Sequence, residues 1–112
     1  MIKITTHILN TSKGIPGTGI GVVLFFKKGN DWEEIGKGIT NDSGRVADLQ
    51  PGDRELLTGV YKLRFDTDEY FKNHFSVSFY PLIEIIFTVS ANEHYHVPLL
   101  LNPFGYSTYR GS

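Results

Sequence analysis

Apolar and polar residues alternate in short bursts along this chain, and turn-forming residues end each burst. From Val60 to Asp66 the alternation is clean, with Val60, Lys62, Arg64 and Asp66 on one side and Tyr61, Leu63 and Phe65 on the other. Residues i and i+2 share a face in a strand, so each such run specifies a half-buried strand rather than a helix. Similar runs cover Lys3 to Leu9, Gly21 to Lys28, Trp32 to Thr40, Leu82 to Val89, His94 to Leu101 and Tyr106 to Gly111. They are separated by Gly14-Ile15-Pro16-Gly17, Gly29-Asn30-Asp31, Asn41-Asp42-Ser43-Gly44, Pro51-Gly52, Asn92-Glu93 and Pro103 with Gly105. One stretch departs from the rhythm. At Thr67 to His74, Thr67 stands as an N-cap, Asp68 and Glu69 fill a first turn, and Tyr70, Phe71 and His74 share a helical face. Seven or eight short strands spaced this closely predict an all-β chain, an antiparallel β-sandwich or barrel, with one short helix.

The 112 residues make a single domain, 1–112, with a hydrophobic fraction of 40% that suffices for a core. A net charge of -1 excludes a polyanion binder that works by bulk charge, so no nucleic acid is expected as a partner. With no cysteine, disulfides, thiolate nucleophiles and cysteine-held metals are excluded. The N-terminal residues do not read as a secretory signal and no run is apolar for the length of a bilayer, so the expected compartment is the cytoplasm, with no membrane partner.

Histidine is the scarce ionisable residue, at His7, His74, His94 and His96. His94 and His96 stand two apart on one strand and therefore project from one face. Such a pair suits metal binding, proton transfer or a plain polar surface. The metal reading lacks a third ligand at local spacing, although His7 or Glu93 could supply one by folding. His74 ends the helix, where a cation suits the dipole, and takes no chemical role. In Val97 to Leu101, Val97, Leu99 and Leu101 point one way and Pro98 and Leu100 the other. The outer face of that strand needs cover from a loop or a second subunit, and Pro98 favours an edge or a bulge. There is no Gly-x-Ser-x-Gly elbow, phosphate loop or His-Glu-x-x-His.

Four segments form a joint pattern: Thr6-His7-Ile8-Leu9, Asn41-Asp42-Ser43-Gly44-Arg45-Val46, His94-Tyr95-His96-Val97-Pro98-Leu99-Leu100-Leu101, and the closing Tyr109-Arg110-Gly111-Ser112. Together with Pro103-Phe104-Gly105-Tyr106 they resemble the transthyretin-like 5-hydroxyisourate hydrolases over essentially the whole chain. Transthyretin itself, the hormone carrier of the same fold, lacks that ending and the equivalents of His7 and His96. The resemblance implies a transthyretin-like (prealbumin-like) two-sheet antiparallel β-sandwich of about eight strands with one short helix, assembled as a homotetramer, a dimer of dimers with sites where the dimers join. It also implies hydrolysis of 5-hydroxyisourate to 2-oxo-4-hydroxy-4-carboxy-5-ureidoimidazoline in urate (purine) degradation, without cofactor. The residues carried over are His7, Arg45, His96 and Ser112 as catalytic, with His7, Arg45, Tyr109, Arg110 and Gly111 contacting the small-molecule substrate. The residue types suit that chemistry. Imidazole is a base near neutral pH, and a guanidinium fork orients a planar ureide and stabilises a developing oxyanion. The competing class is a transthyretin-like carrier holding a hydrophobic ligand in a central channel, for which an apolar lining would be required.

Overall fold

A computed structural model of the chain describes every residue except Asp48, Pro51, Asp53 and Ser112. Its elements run β1 (Lys3–Asn10), β2 (Ile15–Pro16), β3 (Gly21–Lys28), β4 (Asp31–Ile39), β5 (Gly59–Asp66), α1 (Asp68–Phe75), β6 (Leu82–Val89), β7 (His94–Asn102) and β8 (Gly105–Thr108). They form two four-stranded sheets, β2-β1-β7-β8 and β4-β3-β5-β6. The alternation seen in sequence becomes burial. Ile4, Ile8, Val97, Leu99 and Leu101 of the first sheet face Val22, Leu24, Leu63, Phe65, Ile83 and Ile85 of the second, and together they make one core. Among the described residues no helix is long and apolar enough to cross a membrane.

The expected sandwich is present, but one pairing is not antiparallel. β1 and β7 run parallel, in a register that sets Thr5 against His96 and His7 against Pro98. A parallel pair requires a long crossover. Here the crossover is the whole second sheet with α1, so strand-by-strand periodicity does not carry the pairing direction. Pro98 likewise sits in a central strand rather than at an edge. The β8 ladder stops one residue short of it, at Leu99 opposite Thr108, so an N–H at position 98 has no ladder to join. Ile15–Pro16, read as an interruption, forms a two-residue strand against Leu9 and Asn10. The last strand ends at Thr108 rather than Gly111.

Polar groups pin the frame where strands alone do not. The Thr6 hydroxyl donates to the Val97 carbonyl at 2.6 Å between β1 and β7. Buried Asn10 donates to the Tyr70 hydroxyl at 3.0 Å, tying β1 to α1. Thr67 does not cap α1 with its side chain; its hydroxyl donates to the Tyr80 carbonyl at 2.5 Å, which fixes the exit of the helix segment instead. The Tyr95 hydroxyl accepts from the backbone N–H groups of Ser90 and Ala91 at 3.1 and 3.0 Å and holds the turn into β7.

The turn at Asn41 to Arg45 is the tightest of these devices. Asn41 Oδ1 accepts from Ser43 N, Ser43 Oγ and Arg45 N, at 3.0, 2.7 and 3.1 Å. Gly44 adopts φ +79° and its carbonyl accepts from Ile8 N at 2.9 Å. A Cβ at Gly44 would collide with the Ile8 carbonyl. Gly44→Ala is expected to destabilise the fold by about 2–3 kcal/mol, from left-handed strain and loss of this contact. Denaturant unfolding monitored by Trp32 fluorescence measures it.

Candidate active site

The outward residues of β1 and β7 share one surface. On β1, Ile4, Thr6 and Ile8 are buried while Thr5 and His7 are half-buried on the other face. On β7, Tyr95, Val97 and Leu99 point inward and His94 and His96 outward. The parallel register then places Thr5 beside His96, with His7 as the diagonal neighbour. The Thr5 hydroxyl lies 2.7 Å from His96 Nδ1 and also 2.7 Å from His94 Nε2.

Two further segments reach this face. Beyond the short β2, the edge of β1 at His7 is occupied by Arg45, which forms a single antiparallel bridge with it. The Asn41 turn therefore delivers an exposed guanidinium next to the histidines. On the other side the tail returns to β7. The bridge between His96 and Gly111 continues the register of Leu99 with Thr108, and Gly111 N donates to the His96 carbonyl at 2.7 Å. A Cβ on Gly111 would meet His96 Cδ2 at 2.7 Å, so only glycine lets the tail lie this close to the ring.

Burial is the largest influence on His96. With the positive charges of Arg45, His94 and His7 nearby, it holds the imidazole below its usual 6.5. His96 is therefore neutral at pH 7 with a lone pair available. The folded state disfavours its protonation, so the associated stability is full above pH 6.5 and is lost as pH falls from 6.5 through the lowered value.

The sequence-derived candidates separate at this point. His7, Arg45, His96 and Gly111 come together. Ser112 lies outside the described residues. Arg110 turns away: its guanidinium donates to Glu93 Oε1 at 2.7 Å and stacks 4.2 Å over the Tyr95 ring, on the inward side of β7. This hydrogen bond is the chief cause that holds the Glu93 carboxyl below its ordinary range. Arg110 thus braces the tail instead of facing the histidines, because alternation along the unbroken register puts Gly111 and Arg110 on opposite faces. Tyr109 is 57% exposed and, with Arg110, lines a groove against Ile85 to Thr88 of β6. Sequence reasoning passed over Thr5 and weighed Glu93 only as a third metal ligand, whereas its carboxylate is paired with Arg110. Thr5 shares the two-residue period with His7, a usable signal, but its partners belong to a strand 89 residues away. His74 stacks on Tyr70 at 4.1 Å, with Lys13 Nζ 3.4 Å from its Nδ1, and takes no part in this face. Among the described residues no group of three His, Asp or Glu side chains is arranged to hold a metal.

A transthyretin-like sandwich whose outer sheet face carries paired histidines is a narrow class. The model of the HIUase/Transthyretin family matches residues 4–111, and the chain belongs to that family. The 5-hydroxyisourate hydrolase of Halalkalibacterium halodurans is 44% identical over 116 residues, covering 98% of each chain. The solved structure of Klebsiella pneumoniae 5-hydroxyisourate hydrolase superposes with a TM-score of 0.82 at 34% identity, over 97% of this chain and 98% of that one. Sea bream transthyretin in complex with thyroxine gives a TM-score of 0.87 at 30% identity, over 96% and 93%. The backbone alone therefore does not separate hydrolase from carrier.

Gly111→Ala is expected to lift the tail from the His96 ring and raise the titration midpoint of His96 toward 6.5 while leaving the unfolding midpoint nearly unchanged. An NMR pH titration of the histidine ring protons, set beside a thermal melt, measures both.

Proposed function

We propose that this chain hydrolyses 5-hydroxyisourate to 2-oxo-4-hydroxy-4-carboxy-5-ureidoimidazoline, as its 5-hydroxyisourate hydrolase relatives are named to act on that substrate. The observation that carries this reading is the convergence of a neutral, half-buried His96 with His7 and the Arg45 guanidinium on one outward face, beside the returning tail. Ring opening of a cyclic amide needs a base to deprotonate water and a donor for charge that develops on the carbonyl oxygen. His96 has the lone pair for the first task and His7 is close enough to share it. Arg45 supplies a planar fork for the ureide and the developing oxyanion. The reaction as written calls for no metal and no covalent nucleophile.

In this reading Gly111 closes one side of the pocket, and Arg110 serves through its grip on Glu93. We further propose a homotetramer, a dimer of dimers, because the histidines lie on an open sheet face and because outward Leu9 and Leu100 flank them with apolar surface. A second subunit laid over the Leu9 and Leu100 end of this face would turn the surroundings of His7 into a water-poor cleft and leave His94, at the opposite end, open to water. The carrier reading is favoured only by the backbone likeness to transthyretin. A titratable, cation-flanked lining suits a small polar heterocycle better than an apolar hormone.

The test is an ultraviolet assay with freshly generated hydroxyisourate. The expected result is catalysed decay, and decay no faster than the buffer blank overturns the assignment. His96→Ala and His7→Ala are each expected to lower kcat by ~10²–10⁴-fold with the fold intact, judged by circular dichroism. Arg45→Lys should also be slow, since an ammonium does not reproduce the fork. Unchanged turnover in any one of these variants removes that residue's role. Because His96 is held neutral, the acid limb of the kcat/KM profile is expected below 6.5, the usual histidine value.

A further inference from the structure

The Thr5 hydroxyl has one proton and is within hydrogen-bond distance of two imidazole nitrogens, His96 Nδ1 and His94 Nε2, at 2.7 Å each. A hydroxyl donates one hydrogen bond and accepts others, so both contacts cannot be donated by Thr5. Either both nitrogens donate to the two lone pairs of the hydroxyl oxygen, or one donates to the oxygen while the other accepts the hydroxyl proton; the second arrangement is the one that gives the Thr5 hydrogen a partner among the described residues. In that arrangement of the neutral pair, one of His94 Nε2 and His96 Nδ1 carries a hydrogen and the other does not. Two such arrangements exist, and shifting the two bridge protons converts one into the other when His96 Nε2 gains a proton and His94 Nδ1 loses one. Resting on the hydrolase reading above, we propose that His96, Thr5 and His94 form a proton relay. In it Thr5 is the positioning residue that sets complementary tautomers on the two rings, and His94 is the terminus facing solvent.

The geometry assigns each end its task. His96 Nδ1 is engaged by Thr5, which leaves Nε2 as the atom that meets water. When Nε2 takes a proton from the attacking water, Nδ1 passes its own proton to Thr5 Oγ1 while the Thr5 proton passes to His94 Nε2. Two bonds to hydrogen break and two form, and the positive charge moves from His96 to His94 with no redox change. His94 Nδ1 then releases a proton to bulk water. When His96 Nε2 later gives its proton to the departing ring nitrogen of the substrate, His94 Nδ1 takes a proton from bulk water and the relay runs back, which restores the starting tautomers; the carboxylic acid product ionises to water and accounts for the one proton released per turnover.

The charge has reason to move outward. His96 is half-buried, with Arg45 and His7 beside it, whereas His94 is exposed. The other charged groups around His94 are Lys3, opposite it in register, and Glu93, whose carboxylate is occupied by Arg110. Water solvates an imidazolium at His94 that the sheet face would not solvate at His96. The two rings do not touch directly: their centroids are 6.3 Å apart with planes at 67°, so the hydroxyl is the bridge.

The experiment uses the full chain carrying ¹⁵N-labelled histidine, with the variants Thr5→Val, Thr5→Ser and His94→Gln. Long-range ¹H–¹⁵N spectra at pH 8 are expected to show one protonated and one unprotonated nitrogen among His94 Nε2 and His96 Nδ1, and Thr5→Val is expected to abolish that complementarity. In the hydroxyisourate assay Thr5→Val and His94→Gln should lose about tenfold or more in kcat with KM little changed. Thr5→Ser should restore kcat to within about threefold, and added imidazole should partly rescue His94→Gln. A merely structural threonine would not give the serine rescue together with the altered tautomers. The relay is overturned if both nitrogens are in the same state, or if Thr5→Val and His94→Gln keep the parent kcat and pH profile. If Thr5→Val does not fold, the exposed His94→Gln variant and the tautomer spectra of the parent decide the matter. A parent chain with no hydrolase activity overturns the function proposed above, and the tautomer measurement still reads the Thr5 bridge by itself.

Discussion

Parallel pairing between β1 and β7 is the contact on which the candidate site depends. It joins residues about ninety positions apart and sets Thr5 beside His96 rather than one step away. Because a strand has a period of two, a one-residue slip would send His7, or His94 and His96, into the core in place of Ile8 or Val97. Burying an imidazole there without a partner costs far more than a turn or a surface contact returns. The hydrophobic pattern that builds the core therefore also aligns the chemistry on the opposite face. The Thr6 hydroxyl, bonded to the Val97 carbonyl, reinforces the same register from inside.

Around this pair the chain uses close backbone approach to bring in groups from remote segments. Gly44 lets the Asn41 turn press against Ile8 and leave Arg45 at the edge of β1. Gly111 lets the tail lie against His96. Both are places where a side chain would meet a neighbour already in contact, the Ile8 carbonyl at Gly44 and the His96 ring at Gly111. The tail is further held by an ion pair on the other face, Arg110 with Glu93, so its two faces divide the work between bracing and lining. Half-burial with neighbouring cations then keeps His96 neutral, the state in which an imidazole accepts protons.

Membership of the HIUase/Transthyretin family fits both a hydrolase and a carrier backbone, and the superpositions do not distinguish them. In this chain one outward sheet face carries His7, His94 and His96 with Arg45 at its edge. A sandwich needs its inward residues to be apolar and leaves its outward residues free, so a single fold accommodates either an apolar channel or a titratable cleft with little cost to the core.

Much was legible in the chain alone. Alternation located β1, β3 to β7 and α1 to within a residue or two, though it passed over the two-residue β2 and carried β8 three residues too far, and the hairpin at Gly29-Asn30 follows from its turn chemistry. The same periodicity put His94 with His96 on one face, and the four-segment resemblance named His7, Arg45 and the tail as their companions. These features are local, and local rules are those a sequence expresses directly. The direction of the β1–β7 pairing, the central place of Pro98, the turning of Arg110 toward Glu93 and the Thr5 bridge were decided only by tertiary structure. Each depends on which distant strand lies alongside and on which side of it a residue emerges, and periodicity within one strand carries no information about either.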